Sequence, residues 1–535
     1  MGHTSIERET KFEEVVPSRL ADLADRLTRL PGVARVAPAP AEEFDAVYYD
    51  TADLALLSAD CTLSRRSGGD DAGWQLKAPA PGGGHSELKA PVDSHGSDEP
   101  PEELARHLRA RVRGRLLTPV AHLRTHRARW SLLDEEDRVL AEVARDDIAA
   151  QVLGGERIRA ALAGLMRPDT AAAGRGAVAQ LTSWSEVAVE LREGAPSLTP
   201  EIRKRLRSAG LRTAAQPCEL RRALSAADLS PGTRAARTAP GSAGEAVMTR
   251  LCQQVEVLLA TDPAVRADAP DAVHRMRVAV RRLRAVLKSH RRLFKPGSTR
   301  ALERELRWLG AQLGRARDHE VLAGLLRRAA ADVARDPRMP SANGLAGRIA
   351  GYEAAAYRRA WRQACEKLDR ERYFALLDAL EKWLADPPFT RRAGKSARGQ
   401  LKKAVRRDHR RFVSRTRKAL SMPDGPEREK ALHGARKAAR RLRYSAETAR
   451  PVFGKSAKRL AKRAKAVQNV LGAYQDAVVA RAALPGLADQ EHGAGRGTFL
   501  FGVLHCHQLR EAEKQLARLP KLWRRAAKPK SLRLR

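Results

Sequence analysis

The chain is 535 residues long and carries 101 Lys and Arg residues against 63 Asp and Glu residues, a formal net charge of +38. This length exceeds what one hydrophobic core normally holds and predicts two or three domains, while the charge predicts an anionic partner such as nucleic acid, acidic lipid or polyphosphate. The excess lies in one half: residues 1–240 hold 34 basic and 35 acidic residues, and residues 241–535 hold 67 and 28. The two halves therefore have different functions.

Several classes of protein are disfavoured at the outset. The first residues, MGHTSIERETKFEE, are charged, so we expect no secretory signal, and no run of about 18 apolar residues predicts a membrane-spanning helix. The cysteines are scattered without a CxxC pair, which argues against a zinc site or a disulfide framework and fits a reducing cytoplasm. They are Cys61, Cys218, Cys252, Cys365 and Cys506.

Residues 3–224 alternate strand-like and helical runs and predict a mixed α and β domain, in which Gly-rich clusters such as SGGDDAG separate the strands. The predicted strands are Ile6–Phe12, Cys61–Arg66, Gly73–Lys77, Glu87–Val92, Leu123–Leu133, Val139–Arg145 and Glu186–Leu191. The predicted helices are Pro17–Leu30, Pro101–Arg115 and Pro200–Ala209.

Residues 225–244 are rich in Ala, Ser, Pro and Gly without periodicity and predict a linker. Residues 245–530 predict an all-helical domain that contains an internal repeat. HRMRVAVRRLR at 274–284 matches HGARKAARRLR at 433–443, and LGRARDHEVL at 313–322 matches LGAYQDAVVA at 471–480. Two motifs that repeat at nearly one spacing predict a duplicated helical bundle.

The first repeated motif places its cations on one helical face, within about 80° of one another and apart from an apolar stripe that would face the core. We call the two sets the first and second basic stripes. Like charges at this spacing repel, so their retention in both copies suggests a bound polyanion. A solvated, salt-bridged surface is the alternative, and a histidine taken alone more often has a packing or surface role. The first stripe is His274, Arg277, Arg281 and Arg284, which Lys288 extends; the second is His433, Arg436, Arg440 and Arg443.

Asp318 and Asp476 occupy matched positions in the second repeated motif. Such a carboxylate can orient an arginine, bind a metal that bridges to phosphate, or stabilise a packing contact. Because both lie among basic residues, orienting an arginine is the favoured interpretation.

These paired motifs resemble the CHAD family, the conserved histidine α-helical domain, over about residues 245–530. The resemblance implies a duplicated bundle of four helices in each half, with a basic central groove that binds inorganic polyphosphate. One side of the groove would hold the first stripe with Arg304 and Arg307, and the other side the second stripe with Lys462 and Lys465. We therefore expect a cytoplasmic protein associated with polyphosphate granules.

Nucleic acid is a competing partner for any basic surface. Proteins that bind single strands normally interleave aromatic residues on which bases stack. Aromatic residues make up 4% of this chain, and none interrupts the two stripes. No helix-turn-helix spacing is recognisable either. A phosphate chain without bases is therefore favoured over nucleic acid.

In the N-terminal half, ERETKF places Glu7, Glu9 and Lys11 on one face of a strand, an arrangement that suits a cavity for a divalent cation and its phosphate ligand. Alone it is weak, since exposed charged strands are common. It is followed in order by YYDTADLAL, TLSRRSGGDDAGWQLKAP, LRTHRARWSLLD, LAEVARDD and WSEVAVEL. Together these segments resemble the CYTH domain of the triphosphate tunnel metalloenzymes over residues 3–224.

This resemblance implies an antiparallel β-barrel tunnel in which glutamates hold Mg²⁺ or Mn²⁺ and basic residues hold a triphosphate. The metal would neutralise phosphate oxygens and position the attacking water. The metal-side candidates are Glu7, Glu9, Glu142, Asp146 and Glu186. The phosphate-side candidates are Arg66, Lys77, Arg124, Arg127 and Lys11, of which Lys11 is also the candidate catalytic residue through proton transfer.

Four positions depart from the family pattern. Ser64 replaces an expected inward cation, Ala188 an expected glutamate and Glu219 an expected lysine, and His85 stands where arginine is frequent. Since the loss of one transition-state donor commonly slows a reaction about 10²–10³-fold, two functions stay open. The first is a metal-dependent triphosphatase that the helical half recruits to polyphosphate. The second is a non-catalytic polyphosphate-binding or targeting protein with a degenerate tunnel.

Overall fold

The computed structural model describes residues 4–7, 9–14, 27–30, 32–69, 72–79, 85–92, 99–163, 180–191, 198–208, 210–216, 218–229, 238–336, 339, 344–528, 532 and 534; the side chains of residues 4–9, 14, 198 and 199 lie outside this description. The chain forms two compact units, residues 1–233 and 234–535. Their boundary falls within the predicted linker, of which residues 230–237 also lie outside the described part. None of the five cysteines forms a disulfide, and no described helix is long and apolar enough to cross a bilayer.

The first unit is built on one antiparallel sheet, which in the described residues has eleven strands in the order β1-β7-β6-β5-β4-β8-β9-β10-β2-β11, with β3 beside β8. The antiparallel sheet is confirmed, but the order is open, so closure into the expected barrel is not. The sheet nevertheless curves strongly. Strand β1 is the edge strand at one end of the order and β2 is next to last at the other, although only one residue separates these two strands in the chain. The strands are β1 Thr4–Glu7, β2 Glu9–Glu14, β3 Arg35–Pro38, β4 Glu42–Asp50, β5 Thr62–Ser67, β6 Gly73–Pro79, β7 His85–Ala90, β8 Thr118–Leu133, β9 Val139–Val152, β10 Gln180–Leu191 and β11 Leu211–Thr213.

Four described helices cover this sheet: α1 Glu102–Val112, α2 Gly155–Leu162, α3 Leu198–Ser208 and α4 Glu219–Ala226. Because side chains alternate along a strand, Val143 and Val187 pack with α3 on one face. On the opposite face Ile148 packs with Leu220 and Leu224 of α4. We call this second side the α4 face. Helices α1 and α3 correspond to predicted helices, whereas most of Pro17–Leu30 lies outside the described residues.

Asp50, in the YYDTADLAL motif, fixes the turn that follows β4. Its buried carboxylate accepts hydrogen bonds from the backbone N–H groups of Thr51, Leu56 and Leu57 at 2.7–2.9 Å. Burial raises the pKa of this carboxyl to about 6 despite those bonds. The motif is therefore a structural element of this unit.

The described part of the second unit is built of helices, and two sets of four helices, α5–α8 and α10–α13, precede and follow α9 along the chain. In α6, Met276, Val280, Leu283 and Leu287 are buried, so the predicted apolar stripe faces the core. The repeat offset matches α6 with α11 and α7 with α12, which confirms the helical fold. The helices are α5 Ala243–Arg266, α6 Ala272–His290, α7 Arg300–Val333, α8 Leu345–Leu368, α9 Glu371–Ala385, α10 Ala397–Ser421, α11 Pro426–Thr448, α12 Arg450–Gly493 and α13 Phe499–Ala527.

Candidate anion-binding sites

A cavity of about 570 Å³ opens on the α4 face of the sheet. Strands β2, β5 and β6 contribute Lys11, Arg66 and Lys77 to its lining, and α4 contributes Glu219. Ser64 and His85, two of the departures from the CYTH pattern, also line it. The structure therefore brings three of the predicted cations into one cavity.

Lys11 is held between two carboxylates in this cavity. Its Nζ donates a hydrogen bond to Glu186 Oε1 at 2.6 Å and a second one to Glu219 Oε1. Trp184 Nε1 donates to the other oxygen of Glu186 at 3.1 Å, and the Tyr48 hydroxyl donates to Glu219 Oε2 at 3.1 Å. The ammonium group predicted to bind phosphate is thus neutralised from within the protein.

The protonation of the two carboxyls follows from this network. Burial alone would raise the pKa of Glu219, but Lys11, Lys77 and Arg66 outweigh it and hold that pKa well below its usual range. Burial raises the pKa of Glu186, which Lys11 counteracts. Glu219 is therefore an anion at neutral pH and lies where a phosphate group would meet the same cations.

Arg127 and Asp146, predicted as a phosphate ligand and a metal ligand, bind each other. Arg127 Nε and Nη2 each donate to one carboxylate oxygen of Asp146 at 2.7 Å, the bidentate geometry that makes such pairs strong. The guanidinium groups of Arg127 and Arg66 also lie over the Phe44 ring, 5.2 and 4.3 Å from its centre. This packing holds both cations beside the α4 face.

The described carboxylates predicted to bind metal lie on that same face. Antiparallel register pairs Glu142 with Glu190 and Asp146 with Glu186 across β9 and β10, so hard oxygen donors suited to Mg²⁺ or Mn²⁺ lie on one side of the sheet. Among the described residues, however, no group of three or more His, Cys, Asp or Glu side chains is placed to hold a metal. The donor chemistry fits a hard divalent cation, but an arranged set would also need Glu7 and Glu9, whose side chains lie outside the description.

Arg124 is not brought to this cavity. It lies three residues before Arg127 on β8, on the opposite face of the strand, where it is 70% exposed and contacts Asp45 at 3.4 Å. Glu219 is the reverse case, because the sequence marked it only as a missing lysine. Its contact with Lys11 joins residues 208 positions apart, so only the fold reveals it.

In the helical unit, the two basic stripes lie against each other. Burial, with Arg281, Arg436 and Arg284 nearby, lowers the pKa of Arg440 to about 10. Burial likewise lowers the pKa of Arg281, to which Arg277 and Arg436 add repulsion. Cations from both copies thus face one common region.

Several nitrogen atoms of the first stripe are buried without a partner. Arg281 Nε, Arg284 Nε and His274 Nδ1 have no hydrogen-bond partner among the described residues. A buried polar atom that is unpaired is costly, about 1–3 kcal/mol. Acceptor oxygens of a bound anion would satisfy the two guanidinium N–H groups.

In both copies of the repeat, the matched aspartate lies beside the matched arginine. Arg277 Nη1 donates to Asp318 Oδ1 at 2.8 Å, and in the second copy Arg436 Nη2 lies 3.9 Å from Asp476 Oδ1. Burial raises the pKa of Asp476, and the charge of Asp318 adds to that rise. Each aspartate therefore accompanies the matching arginine, as the sequence suggested.

The two copies differ at their far ends. Arg443 Nε donates to Glu447 Oε1 at 2.7 Å, whereas the position matching Glu447 in the first copy is Lys288. Burial lowers the pKa of Arg284, and repulsion from Arg307 lowers it further.

The remaining predicted groove residues are exposed. Arg304 is 71% exposed and contacts Glu305 at 3.3 Å. Lys462 and Lys465 are exposed on α12.

Both stripe histidines are half-buried beside cations. Burial and Arg317 lower the pKa of His274, and burial and Lys437 lower the pKa of His433, which a hydrogen bond donated by the ring to Gln475 partly offsets. Both imidazoles are therefore neutral at pH 7 in the absence of a ligand.

The described residues thus form a curved antiparallel sheet with a cation-lined cavity and, in a separate unit, a duplicated helical bundle with two basic stripes. The CYTH domain family matches residues 5–210, and the CHAD domain family matches residues 249–485. The chain is 33% identical over 516 residues to the uncharacterized protein Rv2226 of Mycobacterium tuberculosis strain H37Rv, covering 96% of this chain and 94% of that protein. The uncharacterized protein MT2285 of strain CDC 1551 matches to the same extent.

Two solved structures are also similar in part. PptA from Streptomyces chartreusis is 20% identical, with 53% of this chain and 99% of that chain covered and a TM-score of 0.45. The CHAD domain from the plant Ricinus communis is 26% identical, with 56% and 95% covered and a TM-score of 0.43. The chain belongs to the CYTH and CHAD families, with the two domains in that order. CYTH domains are associated with triphosphates and are generally metal-dependent, and CHAD domains are associated with polyphosphate.

Proposed function

We propose that the helical unit binds inorganic polyphosphate along both basic stripes, and that the sheet cavity binds triphosphate with a divalent cation and hydrolyses it. The observation that carries the first part is the repulsion between like charges of the two stripes, Arg281 and Arg440, with unpartnered nitrogen atoms beside them. A polyanion would remove that repulsion and accept the missing hydrogen bonds. Such a protein would accumulate at cytoplasmic polyphosphate granules.

In the sheet cavity, Arg66, Lys77 and Arg127 would hold phosphate oxygens. Glu142, Asp146 and Glu186, with Glu7 and Glu9, would hold Mg²⁺ or Mn²⁺, which when bound neutralises phosphate oxygens and activates water. Lys11 Nζ, now shared between Glu186 and Glu219, would be the group that exchanges a proton with the attacking or leaving oxygen.

A second candidate is a cavity that binds phosphate without turnover. It is favoured by Glu219, whose carboxylate occupies Lys11, and by Asp146, which is engaged by Arg127. Both contacts must be exchanged before metal and substrate can bind together.

A hydrolysis assay separates the two candidates. Purified protein is given inorganic triphosphate with Mg²⁺ or Mn²⁺, and orthophosphate is measured. If the protein is a triphosphatase, it releases orthophosphate, a chelator abolishes that release, and Glu186→Gln reduces it at least 100-fold. A melting temperature confirms that the variant folds. Triphosphate binding without release of orthophosphate would establish the second candidate.

Competition on the full chain tests the polyphosphate assignment. Labelled long-chain polyphosphate is displaced by unlabelled polyphosphate or by single-stranded DNA at equal phosphate concentration. We expect polyphosphate to compete better, since the stripes lack aromatic side chains for base stacking. Stronger competition by DNA would refute the assignment.

A further inference from the structure

The helical unit contains a second cavity, of about 380 Å³, at the C-terminal end of α6 beside the start of α10. The described residues that line it include five cations but no Asp, Glu, Phe, Tyr or Trp. None of them belongs to either basic stripe. The five cations are Arg292, Arg392, Lys395, Lys403 and Arg407.

His290 lines this cavity with an unused polar atom. The residue is 2% exposed, and its Nε2 has no hydrogen-bond partner among the described residues. Burial, with Arg407 and Arg441, lowers the pKa of His290 to about 3, so the ring is neutral at pH 7. In the tautomer protonated at Nε2, a neutral imidazole can donate a hydrogen bond from that atom to an acceptor.

The wall behind His290 is held in place. Arg407 donates to the carbonyl oxygen of Ser289, while the Ser289 hydroxyl donates to Asp408 Oδ2 at 2.6 Å. Asp408 is in turn paired with Arg441 at 2.8 Å. The carboxylate of Asp408, next to Arg407 in the chain, is thus already paired.

The cavity is an addition to the repeat. At the repeat offset, the position matching His290 is Ala449, which has no polar side chain. The arrangement therefore does not follow from the duplication that created the stripes.

We propose that this cavity is a separate site for a compact, highly charged phosphate compound without a nucleobase, with His290 Nε2 donating to a phosphate oxygen and Lys395 and Lys403 neutralising its charge. The missing aromatic residues disfavour a nucleotide, and the volume limits the ligand to a few phosphate groups. The same chemistry is offered by free triphosphate and by the end of a polyphosphate chain.

The test is hydrogen–deuterium exchange on the full chain with inorganic triphosphate and a chelator present. Peptides covering residues 290–296 and 398–408 report on this cavity separately from the stripes and the sheet cavity. Lys395→Gln with Lys403→Gln should raise the triphosphate concentration for half-maximal protection about tenfold. The matched control, Lys402→Gln with Arg406→Gln, removes two charges from the same helix outside the cavity and should change it less than about twofold.

His290→Leu adds a second variant. It removes the unpaired nitrogen, so ligand-free protein should melt no lower, while triphosphate protection weakens about tenfold. If His290→Leu does not fold, the variant with Lys395→Gln and Lys403→Gln still tests the proposal.

The same exchange experiment is run in parallel with long-chain polyphosphate. Protection by triphosphate assigns a free small anion as the ligand, and protection only by the long chain assigns a chain end. No protection of these peptides by either anion, or equal loss in the lysine pair and its control, would overturn the proposal. Arg281→Gln with Arg440→Gln should leave this protection intact, which separates it from the stripes.

Discussion

On the α4 face of the sheet, the predicted phosphate ligands Lys11 and Arg127 each lie against a carboxylate of the same protein, and Lys77 lies 3.7 Å from Glu87. In the helical unit, Arg281 and Arg440 lie close enough to repel each other. The residue types are the same, but the first site has internal counter-ions. Along the stripes, Arg277 and Arg443 have such partners, whereas Arg281 and Arg440 require an external counter-ion. A ligand must displace protein carboxylates in the cavity, whereas along the stripes it relieves repulsion. Local pairing, rather than total charge, therefore decides whether a ligand must compete with protein carboxylates for a basic site.

The largest effect is expected where repulsion is greatest. Arg281→Gln with Arg440→Gln should weaken polyphosphate binding about 100-fold, since each charge-assisted hydrogen bond contributes about 1.5–3 kcal/mol. Equilibrium binding at 0.15 M salt, about physiological ionic strength, measures this. The control Arg406→Gln with Arg410→Gln removes two exposed charges of α10 and should change affinity less than about threefold. Melting temperature should not fall in the stripe variant, because two repelling charges are gone.

Removing an internal counter-ion should raise the affinity of the sheet cavity for its ligand. In the stripe variant background, Glu219→Gln should raise the affinity of the cavity for triphosphate about tenfold, because one of the two carboxylates that neutralise Lys11 loses its charge. Calorimetric titration measures it. Asp60→Asn, which removes a charge from the same cavity lining without touching Lys11, is the matched control. Equal affinities in both variants would contradict the competition.

Repeat-matched arginines should differ because only one has a counter-ion. Arg284→Gln should weaken polyphosphate binding about tenfold, whereas Arg443→Gln should weaken it only about twofold, since Arg443 already binds Glu447 at 2.7 Å. The same binding assay compares the two. A larger loss for Arg443 would show that its pairing with Glu447 does not limit its role.

The smallest effect concerns pH. The pKa values of His274 and His433 are lowered in the ligand-free protein, and a bound polyanion favours the protonated ring, so each pKa is higher in the complex. Affinity should therefore rise about threefold as pH falls from about 7.5 to about 5.5. His274→Asn with His433→Asn should remove this rise. A rise that persists in the histidine variant would assign it to other groups.

The helical site could be predicted from sequence because an α-helix fixes which residues share a face. Spacings of three and four put Arg277, Arg281 and Arg284 together whatever the tertiary context, and the repeat supplied the second stripe. The difference between Lys288 and Glu447 was also readable, by aligning the copies beyond the motif.

The sheet cavity could be predicted only in part. Because side chains alternate along a strand, Arg124 and Arg127, three residues apart, lie on opposite faces. The motif that marked both as phosphate ligands did not reveal this. Strand β4, which carries Tyr48 and Phe44, and helix α4, which carries Glu219, were not predicted as elements. Contacts such as Lys11 with Glu219 depend on how distant segments fold together. The His290 cavity likewise has no motif or repeat that marks it.

Calorimetric titration of the full chain with polyphosphate of defined length tests most directly whether both stripes grip a single phosphate chain. The account predicts one chain per protein in the helical unit, with Arg281→Gln and Arg440→Gln each lowering affinity while that stoichiometry stays unchanged. Two independent binding events, each abolished by only one of these substitutions, would contradict it.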